Sequence, residues 1–506
     1  MKPALKIIRV IIVLVIIVTA TFGVGIPVSW ATDSISTFRQ TGSNEPSEVT
    51  YTKDIAPILN KNCATCHRPG QIAPFSLLTY QDAATHAMEI AWATSSRYMP
   101  PWKAAPGYGE FKNPRQLNEQ EIALIQRWLS EGTPEGNPAD LPPTPKFPDG
   151  DWQLGKPDLI LKVPEPYTVK ATGTDQYQCF VLPLNLPNDL YIRAIEIKPG
   201  NSKAVHHAVV YQAASDEARR WDAQYPDVGY PCLEVPKSHE GGYGLYTWTP
   251  GTSPDYLPDG VVRLIPKGSD IILENHYPPT ANEITDRSTV AIYLAKTEPQ
   301  KLAIEIPFGQ PNLNIPPGEP RYKVTAAMTI PMDLQILDIM PHMHLLGREM
   351  KVTATLPDGT VKPMIWIKDW DRNWQMEYQY KEPLNLPKGT NLEMIAYFDN
   401  SSDNPRNPNY PPKRVTWGMS AMDEMCDFII TLMVGNNQEE LKQVNEFYSQ
   451  VLSEYEAAMR ARARRLHAPH SGDPTFGAAK VRSQQTLTSS SEARYEGNSL
   501  QFRTAS

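Results

Sequence analysis

The stretch Pro341-His342-Met343-His344-Leu345-Leu346-Gly347 reads as the end of a β-strand. Strand side chains alternate between faces with a period of two, so His342 and His344 share one face while Met343 points the other way, into packing. Two imidazoles so placed can reach one metal ion. A lone His-x-His in a β-rich chain is more often a surface pair or a satisfied core pair, so its meaning depends on its company. The chain carries only 10 histidines in 506 residues, which makes any clustering of them informative.

Around this stretch, from Trp152 to about Val434, short apolar runs are broken by Pro, Gly, Asn and Asp. Leu159-Ile160-Leu161, Tyr191 to Ile197, Asp270-Ile271-Ile272-Leu273-Glu274-Asn275-His276 and Phe428 to Leu432 are examples. Short strands with regular turn signals predict antiparallel β-sandwiches or barrels. The length is generous for one sandwich and predicts two, over residues 150–300 and 301–436. The 49 prolines fit many turns and stiff connections.

Upstream, residues 48–135 read as a small all-α domain. Tyr51 to Leu59 opens one helix, and Asn118 to Leu129 forms another, with Ile122, Ile125, Trp128 and Leu129 at helical spacing. Glu119 to Glu121 stand in its first turn, where the helix dipole favours them. A proline-rich connection, Pro134 to Pro148, follows. Downstream, residues 437–506 comprise a charged helix, Gln438 to Leu466, and a Ser/Thr/Gly/Arg-rich tail expected to be disordered. Residues 1–31 combine Lys2, Lys6 and Arg9, an apolar run from Val10 to Val18, and small residues at Ser29 and Ala31. This is the pattern of a secretory signal, either cleaved or kept as a membrane anchor. The chain is therefore expected to be exported, to the periplasm or another extracytoplasmic space. A net charge of −8 gives no reason to expect a nucleic-acid partner.

Cys63-Ala64-Thr65-Cys66-His67 is the attachment motif of one covalently bound haem c. Two thiols add to the two vinyl groups, and the next residue, His67, ligates iron. Met99, on the proline-held loop Arg97-Tyr98-Met99-Pro100-Pro101-Trp102, is the expected sixth ligand, with His86 and Met88 as competitors. Residues 50–132 resemble a small cytochrome c along most of their length.

A second histidine pair, His206-His207, is followed by His276 in Glu274-Asn275-His276-Tyr277, and the chain ends its β-region with Asp423-Glu424-Met425-Cys426. Adjacent strand residues face opposite sides, so His206 and His207 share an ion only at a strand end or a bulge. In this order the four elements resemble the copper type II, ascorbate-dependent monooxygenases, the family of the peptidylglycine α-hydroxylating and dopamine β-hydroxylating enzymes. The resemblance spans roughly residues 170–434. It implies two jelly-roll sandwiches and two copper ions. His206, His207 and His276 would hold an electron-transfer copper. His342, His344 and Met425 would hold the catalytic copper that meets oxygen and substrate. A soft thioether favours Cu(I), and three ligands leave a position open. His239, His467 and His470 lack such company and read as surface residues.

The chain also departs from that family. Its peptide-processing members anchor a substrate carboxylate with an Arg two residues before the His-x-His, and they carry an Asn and a Tyr after the ligand Met. Here these places hold Met340, Asp427 and Ile429. Peptide α-amidation is not expected, and the strand suits a neutral or apolar substrate. Export permits a bridge between Cys179 and Cys232, with Cys426 left free, although spacing alone does not fix the pairing. The combination implies a monooxygenase that hydroxylates a C–H bond of a small organic substrate with O2. Electrons from an external one-electron reductant, ascorbate-like or a redox protein, would pass through the haem to the copper sites. Oxidation of an inorganic or sulfur substrate is a variant of this. The competing reading is a non-catalytic exported haem/copper electron carrier or copper-binding protein.

Overall fold

The computed structural model describes residues 48–147, 152–232 and 244–466. The expected leader over residues 1–31, the tail beyond residue 466, and His239, His467 and His470 lie outside the described residues. The described chain consists mainly of β-sheets with few helices, and none of its sheets closes into a barrel.

The helical segment opens with a π-helical turn, Tyr51–Ile55, that runs into the helix Ala56–Asn62. Two further helices, Tyr80–Thr85 and Ala87–Ser95, precede Glu119–Ser130. The last begins with a reciprocal cap: Asn118 Oδ1 accepts from Glu121 N at 2.9 Å, and Asn118 N donates to Glu121 Oε2 at 2.8 Å. Its Ile122, Ile125 and Trp128 face inward onto Ile55 and Leu59, as their spacing predicts. Fully burying each such side chain contributes roughly 1.5–3 kcal/mol.

This segment does not hang from a free linker. Its loop between Ser96 and Asn118 lies along the β-structure, with Ala105 N donating to Trp366 O and Lys112 N to Gln379 O, both at 2.8 Å. Trp102 packs edge-on to Tyr378 at 5.1 Å, and Phe111 stacks on Tyr380 at 5.1 Å. Aromatic surface on both sides explains why the loop stays down.

One eight-stranded sheet runs through the β-region. Its order is Leu159–Lys162, Thr289–Leu294, Leu190–Lys198, Val261–Ile265, Lys301–Gly309, Cys426–Gly435, Leu334–Met343 and Tyr378–Leu386. Strands from before and after residue 300 meet in a short parallel pairing, Lys301 opposite Val261 and Leu302 opposite Val262. A five-stranded sheet centred on Ser269–Tyr277 faces the first half, over a core that includes Phe180, Ile192, Leu273 and Tyr277. A four-stranded sheet, Tyr322–Thr329, Asn391–Phe398, Gly347–Thr355 and Val361–Ile367, faces the second half over Ile339, Met343, Phe398 and Phe428.

The helix Gln438–Leu466 joins that second core through Leu441, Val444, Phe447 and Val451, an apolar stripe at helical spacing. Cys179 and Cys232 are disulfide-bonded with Cα atoms 5.2 Å apart, and Cys426 is a buried free thiol. In the strand Leu334–Met343 the register shifts between Ile336 and Asp338, a bulge upstream of the histidines.

Candidate metal centre

His207 opens the strand His207–Ala214 and lies directly opposite His276 on Ser269–Tyr277. His206 precedes the strand, and its N–H donates to His276 O at 2.9 Å. Being outside the ladder, His206 escapes the alternation that would send it to the far face, so the strand-end condition inferred from the sequence is met. His206 Nδ1 is 3.2 Å from His207 Nδ1, and His276 Nδ1 is 3.4 Å from the same atom. Ligand nitrogens of all three lie within 4.8 Å of one another. Tetrahedral metal–nitrogen bonds of about 2.0–2.1 Å put neighbouring nitrogens about 3.3 Å apart, so this spacing fits an ion.

Two residues orient His276. Its Nε2 is 2.7 Å from Asp175 Oδ1, and Tyr177 stacks on its ring with centroids 4.1 Å apart. A proton on Nε2 donated to Asp175 leaves Nδ1 with its lone pair facing the other two imidazoles.

The second set lies at the end of Leu334–Met343. The rings of His342 and His344 are 5.2 Å apart and nearly perpendicular, while Met343 is fully buried in the core, the division expected from strand alternation. His344 Nδ1 is 3.1 Å from Asp423 O, so Nε2 is left as its metal-facing nitrogen. Trp370 Nε1 donates to His344 O at 3.0 Å. Gly347 is required by close approach: a Cβ there would meet Met343 Cβ and Trp370 Cδ1 at 2.8 Å.

The backbone at Met425 is tied to this pair through Glu424, while the partly buried Met425 side chain packs against the apolar core of the second half. The buried carboxylate accepts from His344 N at 2.7 Å and Leu346 N at 2.6 Å, and from Met425 N at 3.1 Å. One side chain thus ties the histidine segment to the methionine segment. Burial pushes the Glu424 carboxyl up to about 8, against three backbone donors that favour the ion.

Burial also lowers all five imidazoles, His206 to about 2 and His342 to about 4, with His207 and His344 well below the ordinary range. For His276 burial again dominates, and the bond to Asp175 opposes it. Neutral imidazoles are the form that binds metal.

Several residues at these centres gave no signal in the sequence. Arg372, on the short turn Arg372–Trp374, adds its positive charge to the burial that lowers all five histidines. Its Nη2 is 3.7 Å from Asp175 Oδ1. Asp175 Oδ2 accepts from Ala421 N at 3.3 Å, linking the first histidine set to the loop that leads into Met425. The buried Gln375 hydrogen-bonds His342 through its side chain, and its backbone oxygen accepts from Thr249 Oγ1 at 2.7 Å. Asp427, singled out in the sequence, is buried and accepts from Tyr455 Oη at 2.8 Å.

In the helical segment, Cys63 and Cys66 are unpaired thiols. His67 Nδ1 is 3.1 Å from Phe75 O, which leaves Nε2 free. Arg115 stands against Cys66 and donates to Gly251 O at 2.7 Å. A cavity of about 480 Å³ adjoins this motif, lined by Thr65, Trp102 and Arg115 on one side and by Asp338, Glu377 and Gln379 on the other. Of the residues that compete for the sixth position, Met99 is half-buried and Met88 is 75% exposed. His86 bonds Glu89 at 2.7 Å and stacks on Phe75 at 3.8 Å.

Residues 305–451 match the family model for the C-terminal domain of copper type II ascorbate-dependent monooxygenases. The chain is 24% identical over 255 residues to DBH-like monooxygenase protein 1 of Gallus gallus, covering 46% of this chain and 39% of that protein. It is 22% identical over 362 residues to the Homo sapiens protein of that name, covering 62% and 54%. The chain thus spans roughly two fifths to one half of the length of these curated relatives. Among solved structures, the major capsid protein P2 from Bacteriophage PM2 is matched at 10% identity over 56% of this chain, with a TM-score of 0.22, too slight a likeness to bear on the fold. The family match lies in the second half of the β-region, and both relatives carry the name of a monooxygenase.

Proposed function

We propose that this chain is an exported copper monooxygenase with a c-type haem. It would hydroxylate a C–H bond of a small organic substrate with O2. The observation that carries the reading is the pair of histidine sets: three imidazole nitrogens converge at one, and Glu424 ties the His344 backbone to the Met425 backbone at the other. Residues 150–300 and 301–436 then act as two copper-binding jelly-rolls that share one sheet, with residues 48–135 as the cytochrome c domain.

His206, His207 and His276 would hold one copper, and His342, His344 and Met425 the other. Bound there, copper supplies one-electron chemistry and an open position for dioxygen. Asp175 fixes the tautomer of His276, and the Asp423 carbonyl does the same for His344. Cys63, Cys66, His67 and Met99 would hold haem c, which supplies one-electron transfer. The unpaired thiols, the free Nε2 of His67 and the adjoining cavity fit such a group. Arg115, against Cys66, would be available to pair with a haem propionate. Holding the donor on the same chain raises its effective concentration to roughly millimolar. The external reductant is ascorbate-like or a redox protein. The Cys179–Cys232 disulfide accords with an extracytoplasmic, periplasm-like location. No described helix is long and apolar enough to cross a membrane.

The test mixes reduced, haem-containing protein with oxygen and small organic substrates, follows haem re-oxidation, and weighs the products. Copper loading should accelerate re-oxidation and yield a product heavier by one oxygen atom. Identical haem kinetics with and without copper would overturn the proposal.

A further inference from the structure

Arg372 stands beside Asp175 on a loop that neither histidine set belongs to, and its charge bears on both sets. Its turn is fixed by Asp371 Oδ1, which accepts from Asn373 N at 2.9 Å. The side chain is only 15% exposed, and its Nε is buried without an acceptor. Asp175, its carboxylate neighbour, sits at the long distance of 3.7 Å and is already engaged by His276 at 2.7 Å and by Ala421 N at 3.3 Å. The guanidinium is therefore incompletely matched. A buried N–H without a partner is costly, and a ligand oxygen that accepts from it recovers that cost. The planar fork of a guanidinium suits a carboxylate, with two parallel N–H···O bonds. Metal ions at the histidine sets would add positive charge, favouring an anion and repelling an amine cation.

We propose that Arg372 anchors a carboxylate on the substrate, holding it beside Asp175 and the histidine sets on which its charge acts. This rests on the reading of those centres as the reaction site. It revises the neutral substrate suggested by Met340: the strand position that would carry an anchoring Arg is apolar, and a different loop supplies the guanidinium. The substrate class becomes a small organic acid.

The test is calorimetric titration of the copper-loaded, reduced full chain with acid and amide pairs of graded size, acetate with acetamide up to phenylacetate with phenylacetamide. At least one acid should bind about tenfold or more tightly than its amide. Arg372→Gln should abolish that preference, and Arg372→Lys should retain part of it. Equal binding of every acid and its amide, absence of binding by every acid, or an acid preference unchanged in Arg372→Gln would overturn the proposal. The same titration of metal-free protein separates the two claims. An Arg372-dependent acid preference that persists in protein unable to bind copper would leave the anchor standing while the monooxygenase reading fell. Copper binding and oxygen insertion into neutral substrates, without any acid preference, would do the reverse.

Discussion

Asp175 Oδ1 lies 2.7 Å from Nε2 of His276, and this contact decides which ring nitrogen faces His206 and His207. A carboxylate behind an imidazole ligand fixes its tautomer and raises its basicity. Asp175→Ala should weaken copper binding at the three-histidine set by about 10–100-fold, and Asp175→Asn by less, since an amide oxygen can still accept the proton. Competition with a chelator of known affinity measures this. Unchanged affinity in Asp175→Ala would remove Asp175 from the account.

Glu424 makes a prediction about stability. Its side chain accepts from three backbone N–H groups and has no exposure to water. Glu424→Ala would leave those donors buried and unsatisfied, at roughly 1–3 kcal/mol each, a loss of at least about 3 kcal/mol. Glu424→Gln keeps an acceptor and should lose less. Denaturant unfolding of the two variants measures the difference, and a Glu424→Ala midpoint equal to wild type contradicts it.

The buried Asp338 sets a pH dependence. Burial raises its carboxyl to about 7, against a hydrogen bond from Thr431 and the charge of Arg263. Between the unfolded value near 3.8 and about 7 the folded state holds the extra proton, so stability falls as pH rises through that window. The Tm of the wild type should drop relative to Asp338→Asn between about pH 4 and pH 7, and parallel Tm profiles would contradict this.

Much of the fold was legible because its signals are local. The helical stripe of Ile122, Ile125 and Trp128 follows from spacing, and the helix Gln438–Leu466 from its charged composition. The alternation around Met343 placed His342 and His344 on one side, and the strand-end condition for His206 holds. Asp175, Arg372 and Gln375 were not legible, since each acts on a histidine distant in sequence. Nothing in their own neighbourhoods marks them: strand pairing sets Asp175 beside His276, the fold of the second half sets Gln375 beside His342, and the packing of the two halves brings Arg372 to Asp175. The parallel junction of Lys301 with Val261 was hidden for the same reason, because strand order is a property of the whole sheet.

The central claim is that His342, His344 and Met425 hold a copper distinct from the one at His206, His207 and His276. X-ray absorption at the copper edge, on the reduced, copper-loaded full chain beside its Met425→Ala variant, tests it most directly. The expected result is two coppers per chain in the wild type, with sulfur scattering that disappears in Met425→Ala. One copper per chain, or sulfur scattering that survives the substitution, would contradict it.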